Sequence, residues 1–188
     1  GGIKNVGFEA VSNIVKERSK NGEFKSINDF INRINPKDMN KLQLEGMVKS
    51  GAFDKLNENR QAIFNSIPNI ILKSKNLFEN KAANQIDLFG SNNVKDTEII
   101  EKIKDWEFEE RLKKEFEAIG FFISDHPLNQ FKEIFDDYNI VNFNDFNNEK
   151  NINEINIAGT ILKFQEKKTQ KGNSYGIIKL TDLSSVFE

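Results

Sequence analysis

The chain has 188 residues, of which 37% are hydrophobic and 30% charged, and its formal net charge is −2. It has no cysteine and a single histidine, His126, which excludes disulfides and thiolate metal sites and leaves no basis for a zinc site. No apolar run approaches the ~20 residues of a membrane-spanning helix. We therefore expect a cytoplasmic protein with no membrane partner.

Charge is unevenly distributed along the chain. Residues 1–80 carry a net charge of +4, whereas residues 81–150 carry −7. A basic segment followed by an acidic one indicates surfaces with different partners. Ordinary solvated faces are the alternative explanation.

The first predicted helix begins directly after Gly7. Phe8, Val11 and Val15 are spaced i, i+3 and i+7, which places them on one face of a helix. His126 precedes Pro127 much farther along the chain, where it suits the start of another helix as a structural or capping residue.

Three more short helices are predicted in the first segment. Ser26 and Pro36 mark the start and the end of the second helix. Gly51 is a suitable C′ glycine for the third. Asn59 is placed to cap the fourth, and Pro68 to end it. These signals predict a small all-α unit with tight turns.

The middle of the chain changes character twice. Residues 69–78 favour one more helix, and residues 81–97 lack periodicity, which is typical of a linker. A second helical region, residues 98–150, follows. Its clearest apolar stripe consists of Phe108, Leu112, Phe116 and Ile119.

The period changes again after Asn151. Residues 155–164 are rich in β-branched side chains and predict a strand, and residues 175–180 predict a second one. The fold class is therefore mainly α with a C-terminal β segment. We expect a helical region at 1–80, a linker at 81–97, a helical connector at 98–150 and the start of a β domain at 151–188.

The first candidate DNA site is the turn that opens the first helix. Backbone N–H groups at a helix N-terminus attract phosphate, and glycine lets the backbone approach it closely. Helix-hairpin-helix units hold DNA in this way without reading its sequence. The alternative is an ordinary helix N-terminus. The residues concerned are Lys4, Asn5, Val6, Gly7 and Phe8.

A second candidate DNA site follows the third helix. Ser50, Gly51 and Ala52 form a turn whose hydroxyl and amides are candidate phosphate ligands. Basic residues lie nearby in sequence. The alternative is a plain helix C-cap. These basic neighbours are Lys49, Lys55 and Arg60.

The linker contains a candidate protein-binding peptide. Adjacent apolar anchors in an otherwise polar stretch normally have a partner, and a nearby amide side chain can fix the orientation of the bound peptide. The alternative places both anchors on the neighbouring helices. The peptide consists of Gln85, Ile86, Asp87, Leu88 and Phe89.

The connection between the two predicted strands is basic. Lys167, Lys168 and Lys171 are candidate contacts for single-stranded nucleic acid, with Tyr175 able to stack on a base. A solvated hairpin tip is the alternative. No phosphate-loop glycine run and no nucleophile with a base partner is recognisable, so we expect no catalytic residue and no cofactor in this segment.

Three stretches resemble the bacterial DNA polymerase III alpha subunit, a C-family replicative polymerase. Gly2–Arg18 resembles the family's helix-hairpin-helix entry, Lys41–Leu56 its second hairpin, and Glu115–Gln130 the segment before its oligonucleotide-binding (OB) fold. Gln85–Phe89 lies where the family carries its clamp-binding peptide. The strands after Ile155 correspond to the start of the OB fold.

The resemblance implies a non-catalytic segment of a DNA-directed DNA polymerase, a nucleotidyltransferase. Its partners would be duplex DNA, the sliding clamp and other replicase subunits. The family's catalytic aspartates and their Mg²⁺ lie in a palm domain that has no counterpart here. Asn5 stands where the family's hairpin has glycine.

Two other classes of protein remain open from the residues alone. One is a free-standing DNA- and clamp-binding adaptor of a repair system, and the other is a protein-interaction module that binds no DNA. The length of the parent reading frame discriminates the adaptor from the polymerase.

Overall fold

The computed structural model describes residues 2–82, 99–148 and 154–188. The chain divides into two compact units between Phe122 and Ile123. The helices of the first unit are α1 (Phe8–Asn21), α2 (Ile27–Arg33), α3 (Lys41–Lys49), α4 (Arg60–Asn65), α5 (Ile67–Ala82) and α6 (Phe108–Ile119). The second unit has α7 (Lys132–Phe135), α8 (Phe143–Asn148) and the strands β1 (Thr160–Lys168), β2 (Ser174–Thr181) and β3 (Val186–Phe187).

This architecture confirms the predicted fold class, mainly α with a β segment at the C-terminal end. Short 3-10 helices occur at Pro36–Asp38 and Pro127–Phe131.

Local capping sets the helix ends of the first unit. The Ser26 hydroxyl accepts the Asp29 N–H at 3.0 Å at the start of α2, and the Asn59 side chain accepts the Ala62 N–H at 2.9 Å at the start of α4. Gly51, with φ 78°, follows the end of α3 in the left-handed conformation that favours glycine. The predicted caps and the predicted C′ glycine are therefore confirmed.

Pro68 does not end α4, contrary to the prediction. α4 ends at Asn65, and Pro68 is the second residue of α5. Proline is tolerated in the first turn of a helix because its missing N–H would have no partner there. The helix predicted over residues 69–78 is consequently longer at both ends.

The apolar faces of α2, α3, α4 and α5 meet in one core. Ile27, Leu44, Ile63 and Ile67 are each 1% exposed. Ile99, which follows the undescribed residues 83–98, is buried in the same cluster.

Hydrogen bonds also attach the residues that follow Ile99 to the first unit. The Glu101 N–H donates to the Ser66 hydroxyl at 2.8 Å, and the Asn59 Nδ2 donates to the Ile103 carbonyl at 2.6 Å. Residues 99–103 therefore belong to the same packed unit as α2 to α5.

The second unit contains an antiparallel sheet in the order β1-β2-β3. Thr160 lies opposite Thr181, and Lys168 lies opposite Ser174. The first strand was predicted at residues 155–164 and is displaced towards the C-terminus. Asn156, within that range, instead forms an isolated parallel bridge with residue 140.

His126 caps the start of the Pro127–Phe131 helix, as predicted. Its Nδ1 accepts the Leu128 N–H at 3.1 Å, which requires that this nitrogen carries no proton. Partial burial lowers the pKa of His126 below its ordinary value of 6.5, outweighing the opposing effect of Asp182 and Asp125.

We expect the second unit to lose stability when the pH falls below 6.5. Below that value the unfolded chain binds a proton that folded His126 resists, so acid favours unfolding. Protonation of Nδ1 would also remove a capping bond worth about 1 kcal/mol. His126→Asn offers an acceptor that does not titrate and should flatten this dependence. Thermal unfolding at pH 7.5 and 5.5, followed at amides of the second unit, measures it. An equal pH dependence in His126→Asn would contradict this role.

Candidate nucleic-acid interface

The turn before α1 has an unusual backbone conformation. Asn5 has φ 63°, in the left-handed region, where asparagine is tolerated better than most residues with a side chain. This is the position at which the resembled family has glycine. Asparagine therefore occupies the conformation that a glycine would adopt at the hairpin.

Two neighbouring helices hold this hairpin in place. The Lys4 N–H donates to the Ala118 carbonyl of α6 at 2.8 Å, and Val6 is buried, so only its backbone could reach a ligand. A Cβ added to Gly46 of α3 would lie 2.8 Å from the Lys4 carbonyl oxygen. Gly46 was missed at the sequence level, although glycine inside a helix costs about 1 kcal/mol relative to alanine and is a signal of close packing.

The N-terminus of α1 has no capping side chain. Gly7 occupies the N-cap position in an extended conformation, with φ −70° and ψ 146°, whereas side chains of Ser26, Asn40 and Asn59 cap α2, α3 and α4. The helix therefore begins at an exposed end, where Gly7, Phe8 and Glu9 are accessible and Ala10 is buried. Such an end attracts anions because the helix dipole and the N–H groups both favour negative charge.

The side chains around this helix end are accessible. Lys4, Asn5, Gly7 and Phe8 are exposed. Phe8 is 82% exposed, the largest value for a large apolar side chain in the described ranges. The hairpin therefore presents a cation, an aromatic ring and an uncapped helix N-terminus on one short segment.

The second candidate turn is a well-formed helix C-terminus. The Gly51 N–H donates to the Val48 carbonyl at 3.0 Å, and the Ala52 N–H donates to the Met47 carbonyl at 2.9 Å. The Ser50 hydroxyl also donates to Met47, at 2.9 Å. Because these donors already have partners, the C-cap alternative describes this geometry. DNA contact by Ser50, Gly51 and Ala52 stays a prediction.

Arg60, expected near the DNA from its place in the sequence, is buried instead. It is 3% exposed and forms ion pairs with Asp54 at 2.7 Å and Glu115 at 3.1 Å. Burial by itself lowers the pKa of Arg60, but the two carboxylates outweigh it and raise the pKa above its ordinary value. Arg60 is therefore a structural cation.

The two lysines near the second turn differ in their surroundings. Lys49 pairs with Glu117 at 3.2 Å and its side chain is 21% exposed. Lys55 is 89% exposed and lies 3.9 Å from Glu23. Of these two residues, Lys55 is the one whose charge faces solvent.

The basic residues of the second unit lie at one end of the sheet. Lys167 and Lys168 end β1, and Lys171 lies in the turn that follows; all three are exposed. Lys167 is directly opposite Tyr175, which is 44% exposed. The structure thus brings the predicted lysines and tyrosine together, while their contact with single strands stays a prediction.

The predicted clamp-binding peptide, Gln85–Phe89, lies outside the described residues. Within residues 2–82, 99–148 and 154–188, no group of three or more His, Asp or Glu side chains is arranged to hold a metal ion. A search of the same ranges finds no helix long and apolar enough to cross a membrane.

Comparison with known proteins agrees with this geometry. The sequence profile of the helix-hairpin-helix motif matches residues 1–63. The matched residues, which include the left-handed turn at Asn5 and the N-terminus of α1, are similar to helix-hairpin-helix motifs.

The whole chain matches one larger protein. Over 100% of its length it is 36% identical to DNA polymerase III subunit alpha of Rickettsia conorii and 34% identical to that of Campylobacter jejuni. Over 95% of its length it is 32% identical to the subunit of Borreliella burgdorferi. The chain spans about 16% of the length of these relatives. The resemblance indicated by its motifs is confirmed: the chain is homologous to a segment of the DNA polymerase III alpha subunit.

Proposed function

We propose that this chain is a non-catalytic part of a DNA-directed DNA polymerase that holds duplex DNA behind the active site during chromosomal replication. The observation that carries the proposal is the uncapped N-terminus of α1 next to the left-handed turn at Asn5. Homology to the polymerase segment supports the same function.

The geometry favours binding that does not depend on DNA sequence. Backbone N–H groups at a helix N-terminus contact phosphate oxygens, which are the same at every base pair. Lys4 adds a positive charge beside them. Phe8 has no charge, so its contact with the sugar or base edges would contribute a part of the affinity that is insensitive to salt.

Titration of the chain with short duplexes across a series of salt concentrations tests this proposal. We expect weak binding, equal for two unrelated sequences, with a shallow slope of about −0.9 in log affinity against log salt for each phosphate neutralised. Absence of binding at low salt would contradict the duplex-holding function.

The second part of the proposal is attachment to the sliding clamp through Gln85–Phe89. Leucine and phenylalanine would enter an apolar pocket while the glutamine side chain forms a hydrogen bond at its rim. Ile99 and the side chain of Lys81, which donates to the Asn32 carbonyl at 2.9 Å, attach the flanking residues to the first unit. A clamp bound to Gln85–Phe89 would therefore be connected to the DNA-binding hairpin through the chain on both the N-terminal and the C-terminal side of this peptide.

The remaining parts of the chain receive corresponding roles. Residues 1–80 would bind DNA, and residues 81–97 would carry the clamp peptide. Residues 98–150 would form a helical connector to residues 151–188, which would begin an OB fold. Lys167, Lys168 and Lys171 would contact single strands in the complete barrel. Other replicase subunits in the cytoplasm would complete the assembly.

The isolated chain is expected to show no nucleotidyl transfer. That reaction needs metal-bound carboxylates on a rigid scaffold, and the described ranges contain no such cluster. Incubation with primed template, nucleotides and Mg²⁺ should leave the primer unextended, with a complete alpha subunit as the positive control. Primer extension by the purified chain would refute the non-catalytic assignment.

A further inference from the structure

A buried ion pair joins α6 to the helices that precede it. Glu115 of α6 is 0% exposed, and its Oε2 lies 3.1 Å from Nη1 of Arg60 at the start of α4. The same Nη1 donates to the Lys49 carbonyl at 3.1 Å. Two further bonds run to Asp54, from Nε at 2.9 Å and from Nη2 at 2.7 Å. One guanidinium thus connects the end of α3, the turn after it and α6.

The C-terminal end of α6 contacts the hairpin itself. The Ala118 carbonyl accepts the Lys4 N–H at 2.8 Å, three residues beyond Glu115. Glu115 and Ala118 lie within one turn of the same α-helix, whose backbone is rigid over this distance. The Arg60–Glu115 pair, which orients α6, therefore also determines the position of the Ala118 carbonyl. The hairpin would move with α6.

Stability alone does not explain a pair of this kind. Removing two charges from water is costly, and replacement of a buried ion pair by apolar side chains of similar volume often leaves stability unchanged or improves it. Unlike an apolar pair, the ion pair fixes the relative orientation of its two side chains, since the planar guanidinium donates hydrogen bonds only in fixed directions.

We infer that Glu115 and Arg60 are positioning residues for DNA binding, which act by holding α6 where its Ala118 carbonyl fixes the Lys4 hairpin. The inference rests on the proposed duplex-binding function. It places a necessary part of the DNA-binding unit beyond residue 63, where the helix-hairpin-helix match ends.

The test is a charge-neutral double replacement in the full chain, Arg60→Met with Glu115→Leu. The matched control is Lys114→Met with Glu110→Leu, which removes a pair on α6 at 3.1 Å whose side chains are 24% and 41% exposed. We expect the first variant to stay folded but to bind a short duplex about tenfold more weakly, and its Lys4 amide to exchange with solvent faster. The control should bind within about twofold of the parent.

Each contrary result has a defined meaning. A folded Arg60→Met/Glu115→Leu variant with parental duplex affinity and parental Lys4 exchange overturns the inference. If that variant does not fold, Glu115→Gln, which keeps an oxygen acceptor, is compared with Glu115→Met, which does not. Equal duplex binding by these two overturns it as well. If the parent itself does not bind duplex, the proposed function fails, while exchange of the Lys4 amide still decides the positioning.

Discussion

Replacing Leu88 and Phe89 together with alanine is expected to abolish measurable binding to the cognate sliding clamp. Burial of one such apolar side chain contributes roughly 1.5–3 kcal/mol, and ordering of the segment offsets part of the sum. The parent peptide should therefore bind with an affinity on the order of micromolar or somewhat tighter. Loss of both anchors weakens it beyond the range of an ordinary titration.

The control for this experiment is a leucine and phenylalanine pair elsewhere in the first unit. Leu72 and Phe78 of α5 are 60% and 48% exposed. Leu72→Ala with Phe78→Ala removes the same two side-chain types and should leave clamp binding unchanged. A Leu88→Ala/Phe89→Ala variant that still binds the clamp would exclude Gln85–Phe89 as the main contact, and one that unfolds would place these side chains in the core.

Gly7→Val is expected to weaken duplex binding about tenfold, because a branched side chain at the N-cap keeps phosphate away from the first-turn amides of α1. The backbone of Gly7 is extended, a conformation that valine adopts readily. An added Cβ would have only Gln43 Nε2 within 4 Å, at 3.9 Å. The fold should therefore survive the change. Melting temperature and duplex affinity, measured on one sample, separate the two effects.

A second glycine provides the matched substitution. Gly2 has nothing within 4 Å of an added Cβ, and it precedes the hairpin. Gly2→Val should bind duplex with the affinity of the parent. If Gly7→Val binds as well as Gly2→Val, the open helix end is not the DNA contact.

The parts of this fold that follow from neighbouring residues could be predicted from the sequence. Asn59 caps α4 and Gly51 ends α3 because each acts on backbone within a few residues of itself. The hairpin at Asn5 was predictable for the same reason. Pro68 was misplaced because proline is compatible with the end of one helix and the first turn of the next, and sequence does not distinguish them.

Contacts between distant residues could not be predicted in this way. Arg60 pairs with Glu115, which is 55 residues away in sequence. The residues next to Arg60 in sequence are polar, and they gave no sign that its side chain is buried. The strand predicted over residues 155–164 was displaced for a related reason. Its β-branched residues favour a strand, but the bounds of the strand depend on which residues find a pairing partner. Residues from Thr160 onward pair with β2, whereas Asn156 forms a bridge with Ile140.

The most direct measurement of the central claim is the change in each backbone amide signal when a short duplex is added to the labelled full chain. The amides of Gly7, Phe8 and Glu9 should shift first and furthest, in the same order for duplexes of unrelated sequence, and the shifts should diminish as salt is added. Unchanged amides at these positions, with shifts confined to other surfaces, would contradict duplex binding through the helix-hairpin-helix element.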